Sequence, residues 1–333
     1  MIKKLIRTTL LLSVAATIAF GAQAVRFNVV DGDAEKQYND LINKKIESVG
    51  YILSDPHERI NDAYKKKYGA KTLDDGKPNA DYDPAWKETL DNLGFFSVAN
   101  DVALREILIT NPEIGGFSPF NLHTYKKKSE NKTYVGHLVP EVMLDVVGIK
   151  DKATREKFAA MFPALDDLVQ KEIGGKVEIT EYTALPEKPM MNFEITFDRP
   201  EDLGDYIDEF QEGFEAAFEE NKYIIAGYKN FKESYDDLEL EFDKYDQYFV
   251  YSLCHFTYSY NIFNKGRPDA GAFAPCSMYM YIEKGSNKLI IGMPKLANWT
   301  AVMNMKDEVM NKSVEDLDKE IIKIMISLGA KKI

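Results

Sequence analysis

The sequence predicts an α+β fold made of two tandem antiparallel-sheet-plus-helix domains that pack as a pseudo-dimer. Three observations predict it. The decamer Asn111-Pro112-Glu113-Ile114-Gly115-Gly116-Phe117-Ser118-Pro119-Phe120 reads against Arg267-Pro268-Asp269-Ala270-Gly271-Ala272-Phe273-Ala274-Pro275-Cys276, and at the same offset of 156 Tyr125 meets Tyr281 and Gly136 meets Gly292. Such self-similarity at fixed offset marks a duplicated unit. Consecutive strands in each copy are separated by turn signals rather than by crossover helices, which implies antiparallel pairing. The flanks repeat the same order of strand, helix, several strands, helix.

The elements justify this in turn. Arg26 to Val30 reads as a strand, and Met191 to Phe197 reads as its counterpart with the alternation Phe193, Ile195, Phe197. Helical spacing follows each: Tyr38, Leu41, Ile42 and Ile46 within Ala34 to Ser48, and Leu203, Ile207, Phe210, Phe214, Ala217 and Phe218 within Pro200 to Glu220. Pro200 suits a first helical turn. Short strands come next, Val49 to Leu53 and Tyr223 to Tyr228. Hairpins follow around Ser129-Glu130-Asn131, joining Phe117 to Tyr125 with Lys132 to Leu138, and around Gly285-Ser286-Asn287, joining Ala274 to Glu283 with Lys288 to Met293. Each half closes on a helix, Lys152 to Ile173 and Val314 to Leu328. The first domain is read over 25–175, with an inserted segment Asp55 to Ala85 expected as an exposed excursion. A connection covers 176–189 through Pro186 and Pro189, and the second domain covers 190–333.

The chain has 333 residues, 45 % of them hydrophobic, with 42 Lys plus Arg against 54 Asp plus Glu. It can bury sizeable cores, and its formal charge of −12 argues against a nucleic-acid partner, which needs a basic surface. Lys3, Lys4 and Arg7 precede an apolar run from Thr9 to Phe20 that closes on Ala22-Gln23-Ala24, the pattern of a signal peptide over residues 1–24. That run of about 12 strongly apolar residues is short of the roughly 20 needed to span a bilayer. Cleavage takes the charge from −12 to −15 and leaves no membrane span, so the expected location is periplasmic or secreted. The expected partners are a small molecule or a periplasmic protein.

The decamers, the Tyr that follows and the hairpin resemble the bacterial family called domain of unknown function 302, present here as two copies. That family typically carries a Cys-Asn-Pro segment and, some 20 residues later, a Pro-Cys-Asn segment. Cys254-His255-Phe256 and Pro275-Cys276-Ser277 stand at those places in the second half, and Ala99-Asn100-Asp101 with Pro119-Phe120-Asn121 in the first. The resemblance implies a curved antiparallel sheet with a TATA-binding-protein-like topology. It implies a candidate site but no reaction.

The candidate chemistry centres on Cys254 and Cys276, the only two thiols. Three readings stand side by side: a disulfide across neighbouring strands, two buried thiols behaving as small hydrophobes, and a redox or metal pair. For the last, strand alternation puts Met278 and Met280 on the face of Cys276, and Met293, Met303 and Met305 lie near in sequence. Soft ligands such as Cys254, Cys276 and Met278 would favour copper. The bland account of these methionines is a core face. His255 follows Cys254 directly and so should face the other way. His57 is isolated, whereas His123 and His137 lie on two arms of one hairpin and could face each other.

Residues 198–246 hold 17 Asp or Glu against 5 Lys or Arg. Asp205, Asp208, Glu209 and Glu212 fall opposite the Phe stripe and read as a solvated helix face; no calcium-loop spacing occurs. The run Tyr245, Tyr248, Phe249, Tyr251, Phe256, Tyr258, Tyr260 and Phe263 reads as core plus a hairpin surface, or as the lining of an apolar cleft with Tyr258 in it. No nucleophile elbow, phosphate loop, dinucleotide fingerprint, His-Glu-x-x-His or Cys-x-x-Cys is present. The function these features favour is an exported, non-enzymatic binding or accessory protein. The alternatives are thiol-redox or copper handling through Cys254 and Cys276, and a structural interaction module.

Overall fold

The computed structural model describes residues 21–55, 60–86, 89–264 and 266–333. Most of the expected signal segment, and His57, lie outside the described residues. The first half runs β1 (Ala22–Asp31), α1 (Glu35–Lys44), β2 (Ile52–Asp55), α2 (Ile60–Tyr68), β3 (Leu90–Ala99), α3 (Asp101–Thr110), a 3₁₀ turn (Pro112–Phe117), β4 (Phe120–Lys127), β5 (Lys132–Leu138), α4 (Pro140–Val147), α5 (Lys152–Ala159), α6 (Phe162–Glu172) and β6 (Lys176–Tyr182). The second runs β7 (Met190–Thr196), α7 (Leu203–Glu220), β8 (Tyr223–Asn230), α8 (Phe231–Asp237), β9 (Tyr245–His255), α9 (Phe256–Asn264), a 3₁₀ turn (Pro268–Phe273), β10 (Cys276–Glu283), β11 (Lys288–Pro294), α10 (Ala297–Val302), α11 (Glu308–Ser327) and β12 (Lys331–Lys332).

The chain is α+β, with one antiparallel sheet in each half. The strand orders are β2-β3-β4-β5-β1-β6 and, read from the matching edge, β8-β9-β10-β11-β7-β12. The offset of 156 holds for both 3₁₀ turns, for β4 with β10 and β5 with β11, and for the cis peptides before Pro119 and Pro275. One segment read as connection, Lys176–Tyr182, is instead the edge strand β6, paired with β1. The single helix expected over Lys152 to Ile173 is two, because Pro163 sits in the first turn of α6 and α5 stops ahead of it. β1 begins at Ala22, so its first three residues lie on the signal side of the expected cleavage point.

The halves exchange contacts reciprocally. The 3₁₀ turn of the first half packs on β9 and β10 of the second, with Tyr248 Oη donating to the Pro112 carbonyl, and that of the second packs on β4 of the first, with His123 Nε2 lying 2.7 Å from the Pro268 carbonyl. Only glycine fits at the two closest approaches. A Cβ on Gly271 would stand 2.4 Å from His123, and one on Gly115 2.3 Å from the Tyr248 hydroxyl. Asn121 Nδ2 donates to Gly271 O at 2.6 Å, and Ser277, its equivalent, donates to Pro119 O at 3.4 Å. A buried ion pair, Lys229 to Asp101 at 2.7 Å, and Tyr235 Oη to Asp101 O at 2.9 Å complete the seam. The larger apolar cluster accordingly runs through both halves, while a second lies within the second half between its sheet, α7 and α11.

The inserted segment is not simply an exposed excursion. Tyr64 and Tyr68, spaced i, i+4 on α2, are buried against α9 of the second half. Tyr68 stacks on Tyr260 with centroids 3.8 Å apart, and Tyr64 Oη donates to Ser259 Oγ at 2.7 Å. The stretch after α2, residues 71–81, stays mostly exposed. Similarly Phe256 to Phe263 is a helix, α9, rather than a hairpin arm. Among the described residues, no helix is long and apolar enough to cross a membrane.

Candidate functional site

The two cysteines meet at the end of the second sheet. Cys276 opens β10 and pairs with Leu253, one residue short of Cys254 on β9. That register turns the two Cβ atoms to opposite faces of the sheet, and both thiols are free rather than bridged. Past the end of the strands they still line one small cavity of about 20 Å³ with His255, Tyr258 and Trp299, and Cys276 is only half-buried. A cavity of this size holds about one water molecule. Cys254 Sγ donates to Ser259 Oγ at 3.5 Å, and Ser259 in turn donates to Phe256 O at 2.9 Å.

The duplication explains the cavity. At the position of Cys276 the first half carries Phe120, whose ring packs against Phe162 at 5.0 Å, His137 at 5.6 Å and Tyr51 at 5.9 Å. In the second half Met293 replaces His137, and a thiol replaces the phenyl ring. The space these four rings fill in one copy is left partly open in the other.

Burial sets the electrostatics here. It pushes the Cys254 thiol up to about 11, offset in part by the Ser259 hydrogen bond, and it pushes Cys276 well above the usual thiol range, with the sulfur of Cys254 and the Asp318 carboxylate adding to the effect. Thiolate is the nucleophile and the metal ligand, so both groups stay protonated and weakly reactive near neutral pH. Tyr223 and Tyr258 are raised by burial, Tyr223 also by the Glu320 carboxylate beside its hydroxyl, and the Tyr258 hydroxyl has no hydrogen-bond partner. Burial lifts Asp318 to about 6 even though it accepts from the amides of Leu296 at 2.7 Å and Ala297 at 3.2 Å.

His255, expected to face away from Cys254, lines the same cavity because β9 ends at it. Its Nδ1 accepts from Tyr258 N at 3.2 Å, capping α9 as Asn100 Oδ1 caps α3 by accepting from Ala103 N at 3.1 Å. Met278 and Met280 are fully buried in the core beneath α7 and α11 and do not line the cavity. Among the described residues no three His, Cys, Asp or Glu side chains are grouped to hold a metal ion. His123 and His137 do not face each other. His123 pairs with Gly136, so a one-residue slip sends the two rings to opposite faces. His123 enters the seam between halves, and His137 lies 2.9 Å from Asp166.

Sequence reasoning missed a second concavity, separated from the thiol cavity by the Tyr223 ring, which lines both. It is an open cleft of about 1050 Å³ between the inserted segment and the junction of α7 with β8. Its apolar wall includes Leu73, Tyr223, Ile224 and Phe256, and Lys66, Lys67 and Lys222 reach it from two sides. Lys67 Nζ lies 5.3 Å from the centre of the Phe256 ring. The signal for this site was the aromatic density around Phe256, but its other wall is built by a segment that reads as loop.

No protein-family profile matches this chain, and no curated protein matches it. Among solved structures it is similar to the crystal structure of an uncharacterized conserved protein DUF302 from Bacillus stearothermophilus. The identity is 18 %, the match covers 41 % of this chain and 94 % of that one, and the TM-score is 0.34.

Proposed function

We propose that this is an exported, non-enzymatic binding protein whose small ligand occupies the cleft between the inserted segment and the second half. The observation that carries the reading is the cleft itself, about 1050 Å³, in which Leu73, Tyr223, Ile224 and Phe256 form an apolar wall and three lysines and three acids supply charge of both signs. Small-molecule sites run to about 1,000 Å³, so the cleft has room for a small ligand, and its apolar wall is the kind of surface such ligands bury. The thiol cavity, at about 20 Å³, has no room for a metabolite. Its protonated, buried sulfurs also give the thiol-redox and copper readings less support than the cleft gives binding. Export rests on Lys3, Lys4, Arg7 and the apolar run ending at Ala22-Gln23-Ala24.

Native mass spectrometry of protein recovered from the periplasm or medium tests the proposal. The expected result is a mature chain carrying one small-molecule mass, retained in Cys276→Ser and lost in Ile224→Arg, which puts a charge on the apolar wall. A mature chain that carries no such mass and shows no thermal shift across a metabolite library would refute it.

A further inference from the structure

Lys222 is held in a backbone conformation that the fold does not need a lysine to adopt. Ile52 pairs with Ala99 as Ile224 pairs with Cys254, which makes Tyr51 equivalent to Tyr223 and Gly50 equivalent to Lys222. Both residues sit just past a helix end in the left-handed region, Gly50 at φ 82° and Lys222 at φ 68°. Gly148, Gly174 and Gly329 occupy the same kind of position after other helices, and so does a non-glycine residue, Glu239 at φ 55° after α8. Glycine is the residue that takes this conformation without steric penalty, and a side chain there is strained. The second copy nevertheless carries a lysine, and among the described residues its ammonium has no ion-pair partner. Lys66 on the opposite wall has none either, while Lys67 stands 3.9 Å from Asp81.

One wall of the cleft is a cationic stretch in an acidic protein, although the lining as a whole carries three lysines and three acids. Lys65, Lys66, Lys67 and Lys71 fall within seven consecutive residues that contain no acid. Asp62, Asp74 and Glu219 also reach the cleft, but none of them occupies a left-handed backbone position. The charges of Lys222 and Lys67 both act on His255, holding it down alongside burial, so the two cations converge on the end of the cleft bounded by Tyr223 and Phe256.

We infer that the cleft takes an amphipathic anion, with its apolar body on Tyr223, Ile224 and Phe256 and its oxyanion head on Lys222, with Lys67 facing it across the cleft. This rests on the cleft being the binding site. Isothermal titration with decanoate, decyltrimethylammonium and decyl maltoside, each below its micelle-forming concentration, tests it on the full mature chain. Decanoate should bind at least about tenfold more tightly than the cation, and Lys222→Gly should weaken decanoate by about tenfold while leaving the maltoside unchanged. Because Lys222→Gly installs the residue of the first copy, it relieves strain, and circular dichroism should find the fold intact. Equal or tighter binding of the cation, or unchanged decanoate affinity in Lys222→Gly, would overturn the inference and leave the cleft as a site for another class. Failure of all three probes to bind would instead overturn the cleft as the binding site, and this inference with it.

Discussion

The buried ion pair between Lys229 and Asp101 crosses the seam between the halves, and breaking it should be among the most damaging single changes in the molecule. The side chains are 8 % and 6 % exposed and their charged atoms 2.7 Å apart. At an effective dielectric of about 20 the attraction at that distance is about 6 kcal/mol, most of it offset by the desolvation of both ions. The pair is incompletely satisfied, since Asp101 Oδ1 has no partner and Lys229 adds only a 3.5 Å contact to Ser234 and the face of Phe231. Removing one partner leaves the other charge stranded, so Asp101→Leu or Lys229→Met should each lower stability by about 3 to 5 kcal/mol. Replacing both with apolar residues, as in Asp101→Leu with Lys229→Met, strands nothing and should recover most of that loss. Equilibrium urea unfolding, followed by tryptophan fluorescence and circular dichroism, measures the four corners of the cycle. Single variants that lose less than about 1 kcal/mol, or a double variant as unstable as the sum of the singles, would refute the view that the halves are joined through a desolvated pair.

Two buried groups should give stability opposite responses to acid. Burial holds His123 down to about 4 from 6.5, so its contribution is present above pH 6.5 and is lost, by about 3 kcal/mol, as pH falls towards 4. Asp318 is raised from 3.8 to about 6, so stability is greatest below pH 3.8 and falls by about 3 kcal/mol as pH rises through 6. The two offset each other, and Asp318→Asn should therefore show a steeper loss of melting temperature between pH 6.5 and 4 than the parent; an unchanged profile would count against the burial argument. Tyr68→Ala removes the ring stacked on Tyr260 and should release the inserted segment, read as faster proteolytic nicking within residues 69–85 and a loss of about 3 kcal/mol. Ellman titration of the native protein should label Cys254 and Cys276 far more slowly than titration in denaturant, and immediate labelling of both would contradict their protonated, enclosed state.

How much of this was legible in the sequence depended on whether the deciding interaction was local. The hairpins, the Phe stripe of α7 and the offset of 156 are short-range patterns, and they predicted strands and helices that the structure contains. Lys176–Tyr182 escaped although Val177 and Ile179 alternate with Lys176, Glu178 and Thr180 as strand residues do; with only those two aliphatic residues in the run, and Gly174-Gly175 and Pro186 on either side, it reads as part of the connection, and its strand character comes from pairing with the distant β1. The inserted segment misled because Tyr64 and Tyr68 are set among lysines, and their burial is decided by α9, almost 200 residues away. Cys254 and Cys276 are neighbours in strand order, as expected, yet one residue out of step; register depends on the bends and turns between strands, which spacing alone does not fix.

The site is better read from the difference between the two copies than from either alone. Where the copies agree, at the 3₁₀ turns, the prolines and Gly115 with Gly271, the residues face the seam, and the agreement is explained by what packs there. Four of the differences lie around Tyr223: Phe120 becomes Cys276, His137 becomes Met293, Asn100 becomes His255 and Gly50 becomes Lys222. The first two empty space beside the Tyr223 ring, the third brings an imidazole edge-on to it at 4.9 Å, and the fourth adds a cation on its far side. In the first copy Tyr51 is fixed by its hydroxyl to Met161 O at 3.1 Å and by the ring of Phe120, whereas Tyr223 has lost both supports. A duplicated scaffold needs only one copy to keep its packing for the pair to stay folded. The concentration of unsupported and strained groups at one tyrosine is what selection on binding, rather than on stability, would leave in the other.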